Sequence, residues 1–315
     1  MKTDLIYGVE DRPPFKDALF AALQHLLAIF VAIITPPLII ASALKLDVEK
    51  TSFLVSMSLF ASGVSTFIQC RRFGTIGAGL LCIQGTSFSF IGPIIATGLV
   101  GGLPLIFGSC MVAAPIEMIV SRTFKYLRHI ITPLVSGIVV LLIGLSLIKV
   151  GIVSCGGGYS AMDNGTFATW ENLSIAALVL LSVLFFNRCG NKYLRMSSIV
   201  LGLCLGYGLA FVLGKVDMSA LNVEMLMSFN IPQPFKYGVD FNVSSFIAIG
   251  LVYLITAIEA TGDVTANSMI SGKSIEGKSY LKRVSGGVLA DGVNSFVSGV
   301  FNSFPNSIFA QNNGI

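Results

Sequence analysis

The sequence predicts an all-α multi-pass membrane protein, and three observations carry that prediction. Hydrophobic residues make up 54% of the 315-residue chain, charged residues only 11%, and the mean hydropathy is +0.83. Soluble chains carry about a quarter charged residues. Apolar runs approaching the ~20 residues needed to cross hydrocarbon recur along the chain. Finally, the basic residues alternate from loop to loop. With a cytoplasmic N-terminus, 15 of the 20 Lys and Arg fall on the cytoplasmic side and 5 (Lys45, Lys50, Lys149, Lys215 and Lys236) fall outside, the asymmetry that sets membrane orientation. The net charge of +4 is therefore topology and not a nucleic-acid surface.

Residues 1–16 are polar and mixed in charge, without the short apolar core and small-residue cleavage site of a signal peptide, and read as a cytoplasmic N-terminus. Spans follow near Leu19–Leu44, Ser52–Cys70, Gly77–Val100, Leu103–Val120, Ile130–Val150, Ser174–Phe186, Ser197–Leu213, Phe246–Asn267 and Val284–Phe301, about nine complete spans, with a tenth opening at Phe304. The six cysteines, Cys70, Cys82, Cys110, Cys155, Cys189 and Cys204, have neither disulfide-framework nor metal-site spacing. No cofactor or metal is expected.

Helix breakers are unevenly spread. Span three contains Gln84-Gly85-Thr86-Ser87-Phe88-Ser89-Phe90-Ile91-Gly92-Pro93, and the tenth opens Phe304-Pro305-Asn306-Ser307. Glycine, β-branched residues and proline make both poor uninterrupted helices. Irregular backbone at membrane depth survives only where protein or a watered cavity satisfies it, so both segments point to a binding site. They lie seven spans apart. Because secondary transporters often pair broken helices from inverted repeats, that spacing predicts a seven-plus-seven plan with discontinuous spans three and ten. On this plan span eight is the counterpart of span one, which carries its own polar pair, Gln24-His25.

Span eight holds two carboxylates, Glu259 and Asp263, four residues apart and so on one helix face. Thr256 and Asn267 extend that face into a polar stripe. A charge at the bilayer centre costs roughly 2.5–3.5 kcal/mol on insertion scales, so such groups face a cavity or a partner. Two acids one helical turn apart in a poorly hydrated site do not both ionise readily, and a proton held there belongs to the pair. Glu117, near the cytoplasmic end of span four, reads as an ion-pair partner of Arg122. Gln84, Thr86 and Ser87 either line the site or satisfy the broken backbone. Gly156-Gly157-Gly158 lacks the following Lys-Ser/Thr of a phosphate loop. No nucleophile, base and orienter set suggests an enzyme.

Three stretches, Gln24-His25-Leu26-Leu27, Glu259-Ala260-Thr261-Gly262-Asp263 and Gln311-Asn312-Asn313-Gly314, together with Gly286-Gly287-Val288-Leu289-Ala290-Asp291-Gly292, carry a resemblance along the whole chain to the nucleobase-ascorbate transporter family, specifically its bacterial xanthine and purine permease branch. The resemblance implies a fourteen-span carrier of the bacterial inner membrane, a homodimer in its full-length form, coupled to protons or sodium, with short extended segments in the discontinuous spans. It also implies a domain plan: residues 17–122 as core spans one to four, 123–214 as gate spans five to seven, 215–242 as an external loop, and 243–315 as the core of the second repeat.

By the same resemblance, Glu259 and Gln311 contact the base, while Asp263, Asp291, Asn312 and His25 couple protons or support the site. Uracil permeases usually carry a histidine at the position of Asp263 and a glutamate at that of Gln311, so both departures favour a purine. Chemistry agrees. A xanthine-like ring offers imide N–H donors beside carbonyl acceptors, which suit a carboxylate and an amide respectively. Phe88 or Phe90 either stacks on the ring or is a lipid-facing or core aromatic, and Ser87 is assigned to contact the base. Base binding is assigned to Glu259 and coupling to Asp263, with the reverse division as the alternative. The expectation is proton symport of xanthine, urate or guanine by the parent architecture, of which this chain is read as a C-terminally truncated form. The alternatives are a non-transporting membrane paralogue, or a uracil or anion transporter of the same fold.

Overall fold

The structure, a computed structural model, describes residues 7–127, 151–190, 197–216, 230–310 and 312, with isolated positions in 138–149 and residues 194–195. Helix α1 spans Phe15–Ala43 and α2 Val48–Arg71. The Asp47 side chain starts α2 by accepting from the backbone N–H of Lys50 at 2.7 Å, which satisfies one of the orphan donors of a helix N-terminus. Pro36 and Pro37 lie inside α1, which membrane helices tolerate where neighbours satisfy the freed backbone groups.

Span three is not helical from its start. Residues 77–83 are irregular, β1 runs Gln84–Thr86, a 3₁₀ turn covers Phe88–Phe90, and only then does α3, Ile91–Leu127, begin. This long helix is broken at Gly101 and Gly102, the latter at φ 65°, ψ −161°, a conformation open essentially to glycine alone. The break falls at the boundary read from sequence between spans three and four. Span five lies outside the described residues, apart from isolated positions.

A short helix α4, Gly158–Asp163, precedes α5, Trp170–Arg188, and α6, Ser198–Val212. Gly202 and Gly206 let α6 lie close on α5, since a Cβ at either would fall 2.6 Å from the Val183 Cγ2 and 2.3 Å from the Val179 Cγ2. Small residues four apart commonly allow such approach between membrane helices. Helix α7 spans Val243–Ile270 with Asn242 as its cap, and α8 spans Gly277–Val300. Span nine therefore begins two turns earlier than its apolar run, carrying Lys278, Lys282 and Arg283 in its first turns. Strand β2, Asn306–Ile308, follows α8.

Among the described residues five helices are long and apolar enough to cross a membrane: α1, α2, the Phe88–Thr123 stretch containing α3, α5 and α7. The chain is thus a multi-pass, essentially helical protein. Its one described sheet is the antiparallel pair β1–β2, with Gln84 opposite Ile308, Gly85 opposite Ser307 and Thr86 opposite Asn306. The two segments that the sequence marks as broken therefore meet each other. Helix α8 packs behind them against α2, α3 and α7, a position open to it because of its glycines. A Cβ on Gly286 would lie 2.5 Å from the Gly77 carbonyl, and one on Gly299 would lie 2.4 Å from the Met111 Cγ.

Candidate substrate-binding site

The site forms where β1, β2, α7 and α8 converge. One face of α2 makes its scaffold. Ser58, Ser62, Ser65 and Gln69 are all buried at helical spacing and turn their side chains to the broken segments. Ser62 donates in a short bond to the Gln84 carbonyl, Asn306 Nδ2 donates to Ser65 Oγ at 2.8 Å, and Gln69 Nε2 reaches the Gly287 carbonyl at 3.2 Å. Strands too short to satisfy their own backbone at membrane depth are thereby held by side chains. This serine face went unread in the sequence, although its i, i+4, i+7, i+11 spacing is a helical signal.

Gln84 is central and fully buried. Its Nε2 donates in a short bond to Asp291 Oδ1, and its Oε1 accepts from Asn294 Nδ2 at 2.5 Å. Its side chain therefore joins β1 to α8, with Asp291 and Asn294 one helical turn apart. Of the two readings kept for Gln84, Thr86 and Ser87, Gln84 is bound into structure. The hydroxyls of Thr86 and Ser87 are buried and meet no hydrogen-bond partner among the described residues.

Glu259 is half-buried on α7. The Ser89 hydroxyl approaches its Oε2 at 3.4 Å, long for an O–H···O bond, so most of the acceptor capacity of this carboxylate is uncommitted among the described residues. Asp263, one turn on, is more deeply buried, at 8% exposure. The aromatic alternatives separate. Phe90 is fully buried against Tyr253, centroids 4.8 Å apart, and belongs to the core, whereas Phe88 is half-buried and remains accessible for stacking.

His25 of α1 and Asn312 are both buried, and Asn312 Nδ2 lies 3.1 Å from His25 Nδ1. With the amide as donor, the His25 proton sits on Nε2, a tautomer inferred from this contact. The two most distant motifs in the sequence thus meet through one hydrogen bond. Gln311 lies outside the described residues.

Glu117 corrects its sequence reading. The Arg122 guanidinium donates to Thr75 Oγ1 at 3.1 Å, not to Glu117. Glu117 is fully buried and faces Asp291 across the α3–α8 contact. Among the described residues, the ion pairs are Lys45–Asp163, Lys50–Asp47, Lys215–Glu171 and Lys273–Glu10, so none reaches Glu117, Glu259 or Asp291.

Membrane-length helices around two paired, broken segments and a buried polar centre define a membrane transporter. A solved structure of similar fold is the transmembrane domain of a cyanobacterium bicarbonate transporter, BicA, which covers 96% of this chain and 77% of its own at a TM-score of 0.53 and 13% identity. That likeness is one of fold. The model of the permease family Xan_ur_permease matches residues 16–315. Xanthine permease XanP of Escherichia coli (strain K12) is 48% identical over 99% of this chain and 69% of its own length, and xanthine permease XanQ of the same organism is 46% identical over the same shares. The chain belongs to this permease family, the nucleobase-ascorbate transporters, and is a transport protein rather than an enzyme.

Proposed function

We propose that this protein is a purine nucleobase permease, with xanthine the first substrate and urate or guanine the next. The observation that carries this reading is the 48% identity to a xanthine permease over 99% of the chain. The site is chemically suited to it. Among the described residues Glu259 has carboxylate oxygens free for the imide N–H groups of the ring and Ser87 has a hydroxyl without a hydrogen-bond partner; Phe88 offers an aromatic face, and Gln311 is assigned the second polar edge. Base binding falls to Glu259, with Asp263, Asp291, His25, Asn312, Gln84 and Thr86 as support or coupling groups.

The finer architecture belongs to the same proposal. Nine complete spans form part of a seven-plus-seven inverted repeat. Residues 17–122 and 243–315 build the core, residues 123–214 the gate, and residues 215–242 an external loop. The N-terminus is cytoplasmic, the membrane is the bacterial inner membrane, the full-length form is a homodimer, and transport is proton symport. The pairing of β1 with β2 supports the repeat, and the packing of α5 on α6 supports a separate gate. The buried carboxylates Glu117 and Asp291 beside Glu259 argue against a small inorganic anion as substrate, since such sites favour basic or neutral groups.

Glu259→Gln tests the assignment. Hydrogen bonds to a charged group are worth roughly 1.5–3 kcal/mol, so the amide should weaken xanthine binding about 10- to 100-fold. Asp263→Asn should bind xanthine normally, which would separate its part from that of Glu259. Unchanged xanthine affinity in Glu259→Gln would remove that residue from the site.

A further inference from the structure

Helices α3 and α8 pack closely beside a pair of acids. A Cβ on Gly292 would lie 3.0 Å from the Met118 Cγ, 3.1 Å from the Met118 backbone nitrogen and 3.3 Å from the Ala114 carbonyl. The residues preceding Gly292 and Met118 are Asp291 and Glu117, both fully buried and within hydrogen-bonding reach of each other. Among the described residues neither Glu117 oxygen has a hydrogen-bond partner of good geometry, the nearby Thr256 hydroxyl donating instead to the Tyr253 carbonyl at 3.3 Å, and Asp291 Oδ2 has none, while Asp291 Oδ1 takes the Gln84 amide.

A buried charge left without a donor is among the most costly arrangements in a protein interior, and two ionised carboxylates in contact have no proton with which to bond. One proton resolves both problems, because a protonated carboxyl becomes a donor to its neighbour. Among the described residues no cation pairs with either acid. From α7 the pair faces Glu259, Asp263, the Tyr253 hydroxyl and Thr256, and from the segment carrying β1 it faces Gln84 and the Cys82 thiol. All are acidic or neutral. No group of three His, Cys, Asp or Glu side chains gathers to hold a metal among the described residues.

We propose that Glu117 and Asp291 hold a single proton between them, forming a coupling site distinct from the substrate carboxylate and joined to it through Gln84, β1 and Ser89. The inference rests on the transport reading. The proton enters from the outside solution, bridges the two carboxyl groups while substrate occupies Glu259, and leaves to the cytoplasm. Once it has left, two bare carboxylates oppose each other across the α3–α8 contact, which disfavours the emptied arrangement until a new proton binds. Glu117 is therefore a positioning and coupling residue, not a substrate contact.

The test combines a substrate-free readout with transport. Glu117→Gln replaces the bridging proton with an amide N–H to Asp291, so the contact and the fold should survive; Asp291→Asn does the same from the other side. In infrared spectra of the purified protein without substrate, the wild type should show a protonated-carboxyl C=O band that each variant loses, and the double variant should lose no more than either alone. In proteoliposomes, a proton gradient should drive xanthine accumulation by the wild type and not by Glu117→Gln, while Glu117→Gln retains xanthine exchange and binding. An unchanged band, additive losses in the double variant, accumulation by Glu117→Gln, or accumulation that follows sodium would each overturn the proposal. Failure of the wild type to bind xanthine would sink the purine reading while leaving the infrared result to decide the shared proton.

Discussion

At the scale of single residues, the acids divide by what surrounds them. Glu259 faces a hydroxyl at 3.4 Å and keeps its acceptors open, as a ligand site requires, whereas Asp291 is bound to Gln84 and pressed against Glu117. Sequence could place Glu259 and Asp263 on one face because helical periodicity is local. It could not pair Glu117 with Asp291, since 174 residues separate them and nearby Arg122 offered a simpler partner. His25 and Asn312 show the opposite outcome. Their motifs were legible, and the 3.1 Å contact joins them. Interhelical hydrogen bonds in membranes contribute about 0.6 kcal/mol on average and rarely beyond ~2. Asn312→Ala is accordingly expected to lower stability by about 1 kcal/mol, read as a modestly lower thermal midpoint in detergent. A loss several times larger would mean that Asn312 holds more than His25.

At the scale of elements, the paired strands are the feature that organises everything near the site. Glycine, proline and small polar residues announced that spans three and ten would break, because those residue types weaken a helix wherever they occur. The register between β1 and β2 was not legible, as strands of three residues carry too little alternation to specify pairing. Nor was the serine face of α2 read, since hydroxyls are common in membrane helices and bond their own backbone. Gly85 shows how tightly the pair is held. A Cβ there would lie 2.6 Å from the Phe309 ring and 2.8 Å from Ile33 Cγ1. Overpacking of this kind costs typically 1–3 kcal/mol. Gly85→Ala should reduce both thermal stability and xanthine affinity, while Gly63→Ala, with open space around its Cβ, should leave both unchanged. Equal behaviour of the two variants in a thermal-shift assay would argue that β1 is not held between Phe309 and α1.

At the scale of the whole molecule, composition and loop charge made the membrane class legible at once. The long-range ion pairs respect the alternation of sides drawn from sequence: Lys45–Asp163 and Lys215–Glu171 each join two loops assigned to the outside, and Lys273–Glu10 joins two assigned to the inside. The charge run opening α8 is where the reading by apolar periodicity fell short, because hydropathy registers the buried part of a helix and not its solvated first turns. The central claim is that the polar centre between the broken spans recognises a purine. Equilibrium binding of labelled xanthine to the purified chain, with unlabelled urate, guanine and uracil as competitors, tests it most directly. Saturable xanthine binding that the purines displace and uracil does not is expected; displacement by uracil as effective as by xanthine itself, or the absence of saturable xanthine binding, would overturn the purine assignment.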